Sequence, residues 1–372
     1  MKKIVVIGRT YPYKGGISHF NTLLYNNLSK YFVLTIFGWK RLYPKFLYPS
    51  DPIDQNGSDN LKIKSQKIID YLNPITWIIL LYRIKRIKPD LLIMNWFHPI
   101  MFPIYFFITF IVNKIFKTEI LYICHNVFPH EKNIPFLKMF MKLSFLFVDY
   151  FIVHSKTDKI DLLKIKKNAN VVHGFLPLFN SFTNIKSHNT SLNSNKLNNT
   201  LLFFGFVRDY KGLDSLIKAM PKVLKSIDVD LLIAGEFWKN KSFYLDLINK
   251  LNLINKVKII DKYIPDNKIN DYFKRCDVVI LPYKSATQSA IVQLAYSHNT
   301  PVIASDVGGL SESVIDNKTG FLTKINDSQD ISEKIIEYYQ GNKKNIFINN
   351  INNIKNNFSW DKYIKLIKDN FV

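Results

Sequence analysis

Short runs of β-branched and aliphatic residues alternate along the chain with longer stretches in which apolar residues recur at helical spacing. This alternation is typical of βαβ units, in which crossover helices join parallel strands. Residues predicted as strands are 4–7, 91–94, 120–123, 150–153, 201–204, 230–233, 257–260, 278–281 and 302–304. The pattern therefore predicts an α/β protein with parallel sheets.

A polar stretch separates the first four predicted strands from the other five. Between residues 180 and 200 the chain consists mainly of Asn, Ser, Thr and Lys without apolar periodicity, as expected of an exposed linker. The length of 372 residues also exceeds the size at which one hydrophobic core usually keeps growing. We therefore predict an N-terminal domain at 1–180, a linker at 181–200, a C-terminal domain at 201–350 and a terminal helix at 351–372.

Basic residues outnumber acidic ones, with 51 Lys and Arg against 29 Asp and Glu and a formal net charge of +22. This excess predicts attraction to phosphates, although a general richness in Lys places part of it on solvated faces. No recognition helix, RNA-binding signature or zinc pattern accompanies the charge, which argues against nucleic acid as a partner. Cys124 and Cys276 lie far apart in apolar surroundings, so we expect a reducing cytoplasm rather than a disulfide framework.

Two segments of the first domain are candidates for contact with a membrane. Residues 100–116 are the most apolar in the chain, but they are fewer than the about 20 apolar residues that a transmembrane helix needs. A buried core helix and a helix in the membrane interface are the favoured interpretations. Residues 71–88 combine apolar positions with Arg and Lys, which suits docking on an anionic membrane as well as packing on a sheet.

Candidate binding residues lie in loops after predicted strands, because open α/β sheets bind ligands beyond the C-terminal ends of their strands. The loop after the first strand contains Gly15 and Gly16, which let the backbone approach an anion near a helix start. The loop after residues 201–204 carries Arg208 and Lys211. A fork-shaped guanidinium and a point-charge ammonium suit a diphosphate. A plain turn and two solvated cations are the competing interpretations.

Two later loops offer polar groups at helix starts. Thr287, Gln288 and Ser289 precede an apolar helix, where they can hold phosphate or ribose oxygens or act as ordinary caps. Glu312 follows a pair of glycines and is either an acceptor for sugar hydroxyls or a favourable first-turn acid.

His125 directly follows the strand predicted at 120–123, at the edge of the sheet where ligands bind. We expect a functional role for it, although a lone histidine is more often structural. A metal site formed by His125, His130 and Glu131 is disfavoured, because their spacing matches no familiar ligand pattern.

Taken together, these loops resemble those of GT-B-fold glycosyltransferases of family 4. The resemblance rests on the Gly15-Gly16 loop, on His125-Asn126, on residues 208–212 and on the stretch 301–320 with its Val-Gly-Gly-Leu-Ser-Glu sequence. It covers nearly the whole chain. It implies two Rossmann-like domains whose parallel sheets face each other across a cleft, and a terminal helix around Trp360 that crosses back to the first domain.

The resemblance also implies an activity. The second domain would bind a nucleotide-diphosphate sugar, with Arg208 and Lys211 on the diphosphate and residues 287–289 on phosphate or sugar oxygens. The paired-glycine loop of the first domain would close over the diphosphate, and His125 would touch the donor sugar. Family members retain the anomeric configuration, and neither a cofactor nor a divalent cation is implied. The expected acceptor is a saccharide or lipid-linked saccharide of a cell-envelope or capsular polysaccharide.

Two glutamates that are usual in the second domain of this family are missing. Alignment of the flanking prolines places Ala286 and Leu294 at their positions. Contacts with ribose or donor sugar must then come from Gln288, Ser289 or Glu312. The alternatives are a degenerate, non-catalytic transferase that acts as a binding partner and a sugar-nucleotide epimerase of the same fold.

Overall fold

The computed structural model describes residues 1–42, 53, 63–129, 136–180 and 199–372. The chain forms two compact units, of which the first contains Met1–Pro177 and Ser359–Val372 and the second contains Leu178–Phe358. Each unit has its own parallel sheet and its own hydrophobic core. The predicted linker, 181–200, lies outside the described residues except for its last two, and Thr200 already begins a strand.

Strands and helices alternate through both units. The strands are β1 (Lys3–Ile7), β2 (Val33–Arg41), β3 (Ser65–Asp70), β4 (Leu91–Trp96), β5 (Glu119–Cys124), β6 (Tyr150–Val153), β7 (Asn170–His173), β8 (Thr200–Phe204), β9 (Asp230–Ala234), β10 (Val257–Ile260), β11 (Val278–Leu281), β12 (Val302–Ser305) and β13 (Gly320–Thr323). The helices are α1 (Gly16–Leu28), α2 (Pro74–Ile87), α3 (Phe102–Phe110), α4 (Leu137–Phe145), α5 (Lys156–Ile165), α6 (Leu213–Leu224), α7 (Lys241–Lys250), α8 (Asp266–Arg275), α9 (Ala290–Ser297), α10 (Leu310–Ser313), α11 (Ser328–Gln340), α12 (Lys343–Ile354) and α13 (Trp360–Phe371). Each predicted strand is found, and the α/β class is confirmed.

The strand order positions the functional loops. In the first unit it is β3-β2-β1-β4-β5-β6-β7, and in the second it is β10-β9-β8-β11-β12-β13, with parallel pairing throughout. The order reverses between β1 and β4 and again between β8 and β11. Ligands of open α/β sheets bind at such reversals, beyond the C-terminal ends of the strands.

Residues 100–116 are divided between the core and the surface. They form α3 and a following π-helical turn, Ile111–Ile115. Ile104, Ile108 and Val112 are fully buried, which confirms packing on the sheet for one side of this segment. Phe110 and Ile115 are exposed. Among the described residues, no helix combines the length and the apolar character that crossing a bilayer requires.

Helix α13 belongs to the core of the first unit. The hydroxyl of Ser359 caps it by accepting a hydrogen bond from the Lys362 N–H. Its buried side chains are Trp360, Tyr363, Ile364, Ile367 and Phe371. The Tyr363 hydroxyl is hydrogen-bonded to Nε2 of the buried His154 at 3.0 Å. The range 351–372 predicted as one helix thus contains the end of α12, which belongs to the second unit, and α13, which belongs to the first.

We expect Tyr363→Phe to lower the free energy of unfolding by about 1 kcal/mol, because one buried hydrogen bond is lost. Tyr363→Ala should cost about 4 kcal/mol, because it also leaves a cavity. Urea unfolding monitored by circular dichroism measures both values. The exposed Tyr31 supplies the control Tyr31→Phe, which should change stability by less than about 0.5 kcal/mol. Equal losses in the two Tyr363 variants would contradict a packing role for the ring.

Candidate functional site

Four loops of the second unit meet at the C-terminal edge of its sheet. The Lys284 N–H donates to the Tyr210 carbonyl at 2.7 Å and joins the loops after β11 and β8. The Gly309 N–H donates to the Thr287 carbonyl at 2.8 Å and joins the loops after β12 and β11. The loop after β9 is bound to that after β8, since the Trp238 N–H donates to the Val207 carbonyl at 3.2 Å. These backbone hydrogen bonds join the four loops into one continuous rim at this edge of the sheet.

Two glycines let the backbones of this rim touch. At Gly212, where φ is +65°, a Cβ atom would lie 1.9 Å from the Pro282 carbonyl oxygen. At Gly308, where φ is +54°, it would lie 1.8 Å from the Ala286 carbonyl oxygen. Other residues meet both a steric and a conformational barrier at these positions. The paired-glycine loop predicted after β12 therefore sets the distance between two loops of the site.

Lys211 places an ammonium group inside this rim. A 3-10 turn, Asp209–Lys211, ends at this residue, which is only 8% exposed. Its Nζ lies beside Gly205 and 5.5 Å from the centre of the Tyr283 ring. Burial and the nearby charge of Arg208 lower the pKa of Lys211 to about 7. Among the described residues no carboxylate pairs with it. The site thus holds a buried cation that lacks a counter-charge.

Arg208 lies beside this ammonium on an aromatic surface. Its guanidinium carbon is 3.4 Å from the centre of the Trp238 ring, and Phe206 packs against the same indole with ring centres 5.4 Å apart. Stacking occupies the face of the guanidinium and leaves its N–H groups, which point outward in the plane, available to bind an anion. Arg208 and Lys211, predicted together from one loop, are therefore brought together by the structure.

Gln288 and Ser289 form hydrogen bonds within the protein. The amide of Gln288 donates to the Gly309 carbonyl at 3.0 Å and accepts from the Ser313 hydroxyl at 3.2 Å. Ser289 caps α9, because its hydroxyl accepts from the Ile291 N–H at 3.2 Å. Thr287 and Glu312 border the same rim and are partly exposed. Contacts of these four side chains with a ligand remain predictions.

The first unit presents its own predicted residues at the corresponding edge of its sheet. Gly15 has φ of +105° and is the N-cap of α1, which begins at Gly16. The Arg9 side chain donates to the Lys14 carbonyl at 2.9 Å and braces this loop. His125 follows β5, and its ring meets that of Phe20 edge-on, with centres 4.9 Å apart.

The imidazole of His125 is electrically neutral at neutral pH. Burial lowers its pKa well below the usual value, and the neighbouring His154 and the Arg9 charge lower it further. A neutral imidazole can donate and accept hydrogen bonds with sugar hydroxyls. His130 and Glu131, which were considered as metal ligands with it, lie outside the described residues. Within the described ranges, no three His, Cys, Asp or Glu side chains are grouped to bind a metal ion.

Trp238 is the main site residue that sequence reasoning missed. It lies in the loop after β9, and a single tryptophan gives no distinct signal in a chain this rich in aromatic residues. The strand order carries the missing signal, because β9 is the neighbour of β8. An aromatic residue beyond one of these strands therefore lies close to the Arg208 loop beyond the other.

Comparisons with known proteins agree with this geometry. Residues 184–353 match the family model of glycosyl transferases group 1. An uncharacterised glycosyltransferase of Methanocaldococcus jannaschii is 27% identical over 44% of this chain and 45% of its own length. A D-inositol 3-phosphate glycosyltransferase of Arthrobacter sp. is 31% identical over 37% of this chain and 34% of its own length. The chain thus matches less than half the length of these curated relatives.

A solved structure shows the fold of the whole chain. The HepE protein of Anabaena, solved in complex with UDP and glucose, is 17% identical over 99% of both chains with a TM-score of 0.73. This likeness, which spans both units, confirms the predicted GT-B fold.

We expect Gly308→Ala to lower the melting temperature of the protein by several degrees, because the new Cβ would collide with the Ala286 carbonyl at a positive φ. Gly309→Ala is the matched control, since Gly309 has an ordinary φ of −82°. Scanning fluorimetry compares the two variants. Equal melting temperatures would contradict the role assigned to Gly308.

We expect Lys211→Met to stabilise the ligand-free protein, since an apolar side chain of similar shape replaces a buried cation. The lysine is charged in the unfolded state up to its ordinary pKa, whereas its folded pKa is about 7. The buried lysine therefore lowers the free energy of unfolding by its full amount below about pH 7. This destabilisation disappears as the pH rises toward about 10. The gain should be on the order of 3 kcal/mol at about pH 6 and smaller at about pH 9. Calorimetric unfolding at both pH values measures it, and a destabilised variant would contradict the unpaired cation.

Proposed function

We propose that this chain, whose residues 184–353 match the family model of glycosyl transferases group 1, moves a sugar from a nucleotide-diphosphate donor to an acceptor hydroxyl. The observation that carries the proposal is the buried ammonium of Lys211 beside the stacked guanidinium of Arg208. A diphosphate supplies the negative charge that the described residues do not provide. The oxygens of a diphosphate also fit both cations, the forked N–H groups of Arg208 and the point charge of Lys211.

The same two cations account for catalysis. As the bond between the sugar and the diphosphate breaks, negative charge accumulates on the leaving oxygens. Fixed positive groups in a site that excludes water stabilise that charge without having to reorganise. Lys211 and Arg208 thereby take the role that a divalent cation has in other transferases, and we propose a metal-independent reaction that retains the anomeric configuration.

The remaining predicted residues bind the rest of the donor. We assign the neutral imidazole of His125 to a sugar hydroxyl, and the Gly15-Gly16 turn to the diphosphate through its backbone N–H groups. Thr287 and Glu312 are assigned to ribose or sugar oxygens. For the acceptor we propose a saccharide or lipid-linked saccharide of the cell envelope or capsule. UDP sugars are the first donors to test, because HepE was solved with UDP.

One observation favours a second candidate function, a nucleotide-binding partner without transferase activity. The positions of the two family glutamates are occupied by Ala286 and by Leu294, whose side chain is buried. Neither residue can hold a sugar hydroxyl or a positive charge. Nucleotide binding without sugar transfer or donor hydrolysis would support this alternative.

The test is a thermal-shift screen against UDP, GDP, ADP, CMP and their sugars. A ligand that binds only the folded protein stabilises it by about 2.7 kcal/mol at a hundredfold excess over its Kd. One nucleotide should raise the melting temperature of the wild type and of Lys318→Met, an exposed control in the second unit. Arg208→Gln and Lys211→Met should lose that shift. A full shift in both variants would overturn the proposed diphosphate site.

Proton uptake provides a second measurement on the same site. A bound diphosphate raises the pKa of Lys211 from its value of about 7, so at about pH 8 binding should take up close to one proton. Titration calorimetry in two buffers of different ionisation enthalpy measures the uptake. Affinity should also fall as the pH rises above about 7. Equal uptake by Lys211→Met would assign the proton to another group.

A further inference from the structure

Helix α2 exposes a row of large apolar side chains to solvent. The helix faces the sheet with Leu80, Leu81 and Ile84. On its outer side, Ile75, Ile78 and Tyr82 are 65%, 61% and 61% exposed. Positions separated by three, four and seven residues lie along one side of a helix. Large apolar side chains are therefore presented to solvent as a continuous row.

The neighbouring helices extend this surface. Helix α3 packs between α2 and α4, and Phe102 of α3 stacks on Phe140 of α4 with ring centres 5.1 Å apart. We define the α2–α4 face by the exposed apolar residues of this helical layer. They are Ile75, Ile78, Ile79, Tyr82, Phe110, Ile115, Met139 and Leu146. Apolar patches that span several elements mark interaction sites rather than scattered surface residues.

The charged residues within these helical segments have one sign. Neither α2, α3, the π-helical turn nor α4 contains an acidic residue. The basic residues of these segments, with the C-cap of α2, are Arg83, Lys85, Arg86, Lys88, Lys114, Lys138 and Lys142. A second copy of this chain would meet the face with the same cations, because a symmetric interface pairs a surface with itself. The charge instead complements an anionic surface.

A groove beside α2 places two of these cations against apolar walls. Its volume is about 630 Å³, and it lies between α2 and the β2–β3 edge of the sheet. Arg83 and Arg86 line it together with Phe37, Ile79 and Ile87. Arg83 donates to the Gln66 side chain, and the guanidinium of Arg86 lies 5.9 Å from the centre of the Tyr82 ring. Guanidinium groups next to aliphatic side chains suit a phospholipid, because the guanidinium groups can bind its phosphate and the aliphatic side chains can contact its acyl chains.

We propose that the α2–α4 face docks the protein on an anionic lipid bilayer. The isoleucines of α2 enter the interfacial region, and Arg83 and Arg86 bind lipid phosphates. A row of apolar side chains bordered by cations is the arrangement by which helices lie on membrane surfaces. This inference goes beyond glycosyl transfer and does not rest on it, because the surface includes no residue of the proposed donor site.

Co-sedimentation with vesicles tests the proposal in the absence of nucleotide. Vesicles of phosphatidylcholine alone are compared with vesicles that contain about one third phosphatidylglycerol, at low and near-physiological salt. The wild type should bind the anionic vesicles, and more weakly as salt rises. Arg83→Gln combined with Arg86→Gln should lower the partition coefficient about 30-fold, because each cation contributes about a factor of five. Ile75→Ser combined with Ile78→Ser should lower it about tenfold.

A matched pair in the second unit controls for general surface effects. Ile254 and Ile346 are also exposed, and Ile254→Ser combined with Ile346→Ser should bind vesicles as the wild type does. Circular dichroism and the nucleotide thermal shift verify that each variant is folded and keeps its donor site. Equal binding to neutral and anionic vesicles would overturn the proposal, as would wild-type binding by both α2 double variants. So would a dimer, detected by light scattering, that the α2 variants dissociate.

Discussion

The buried ammonium of Lys211 is the constraint to which the edge of the second sheet is adapted. Desolvating a cation without a partner is costly, and the surrounding structure offsets that cost. A short 3-10 turn fixes the backbone of the lysine, Gly205 leaves room for Nζ, and the Tyr283 ring faces it. The backbone bonds around the rim keep these groups in place. The groups that bind an anion are thus held in position before it arrives, as preorganisation requires.

Central strands were predictable from the sequence, whereas three of the four edge strands, all but β10, were not. Strands such as β4 and β5 are buried on both faces and form apolar runs that are recognisable without a structure. Three of the four missed strands, β3, β7 and β13, lie at sheet edges, and β7 and β13 each contain only two consecutive apolar residues. The fourth, β2, contains Gly38 and ends in Lys40 and Arg41, which interrupt its apolar pattern. The sequence therefore indicated the core of each sheet rather than its width.

The candidate site was predictable where one loop carried its parts. Arg208 and Lys211 lie in one loop at the end of a predicted strand, and this position was enough to predict that both side chains belong to the same site. The ligand contact predicted for Gln288 stays a prediction, whereas the role of its amide in joining two loops was not predictable, because their proximity depends on the packing of Gly308 against Ala286. The stacking of Trp238 on Arg208 likewise depends on neighbouring strands. Such contacts between distant parts of the chain leave no local pattern in the sequence.

The position of α13 has a consequence for synthesis. The ribosome releases the seven strands of the first unit early, yet Phe20 and His154 gain their partners Trp360 and Tyr363 only after the whole second unit has been made. At about 5–20 residues per second this delay is roughly ten seconds or longer. During that time an unfinished aromatic surface stays exposed on the nascent chain, where a chaperone can bind it. A chain that stops before Ser359 never covers this surface, because it lacks Trp360 and Tyr363.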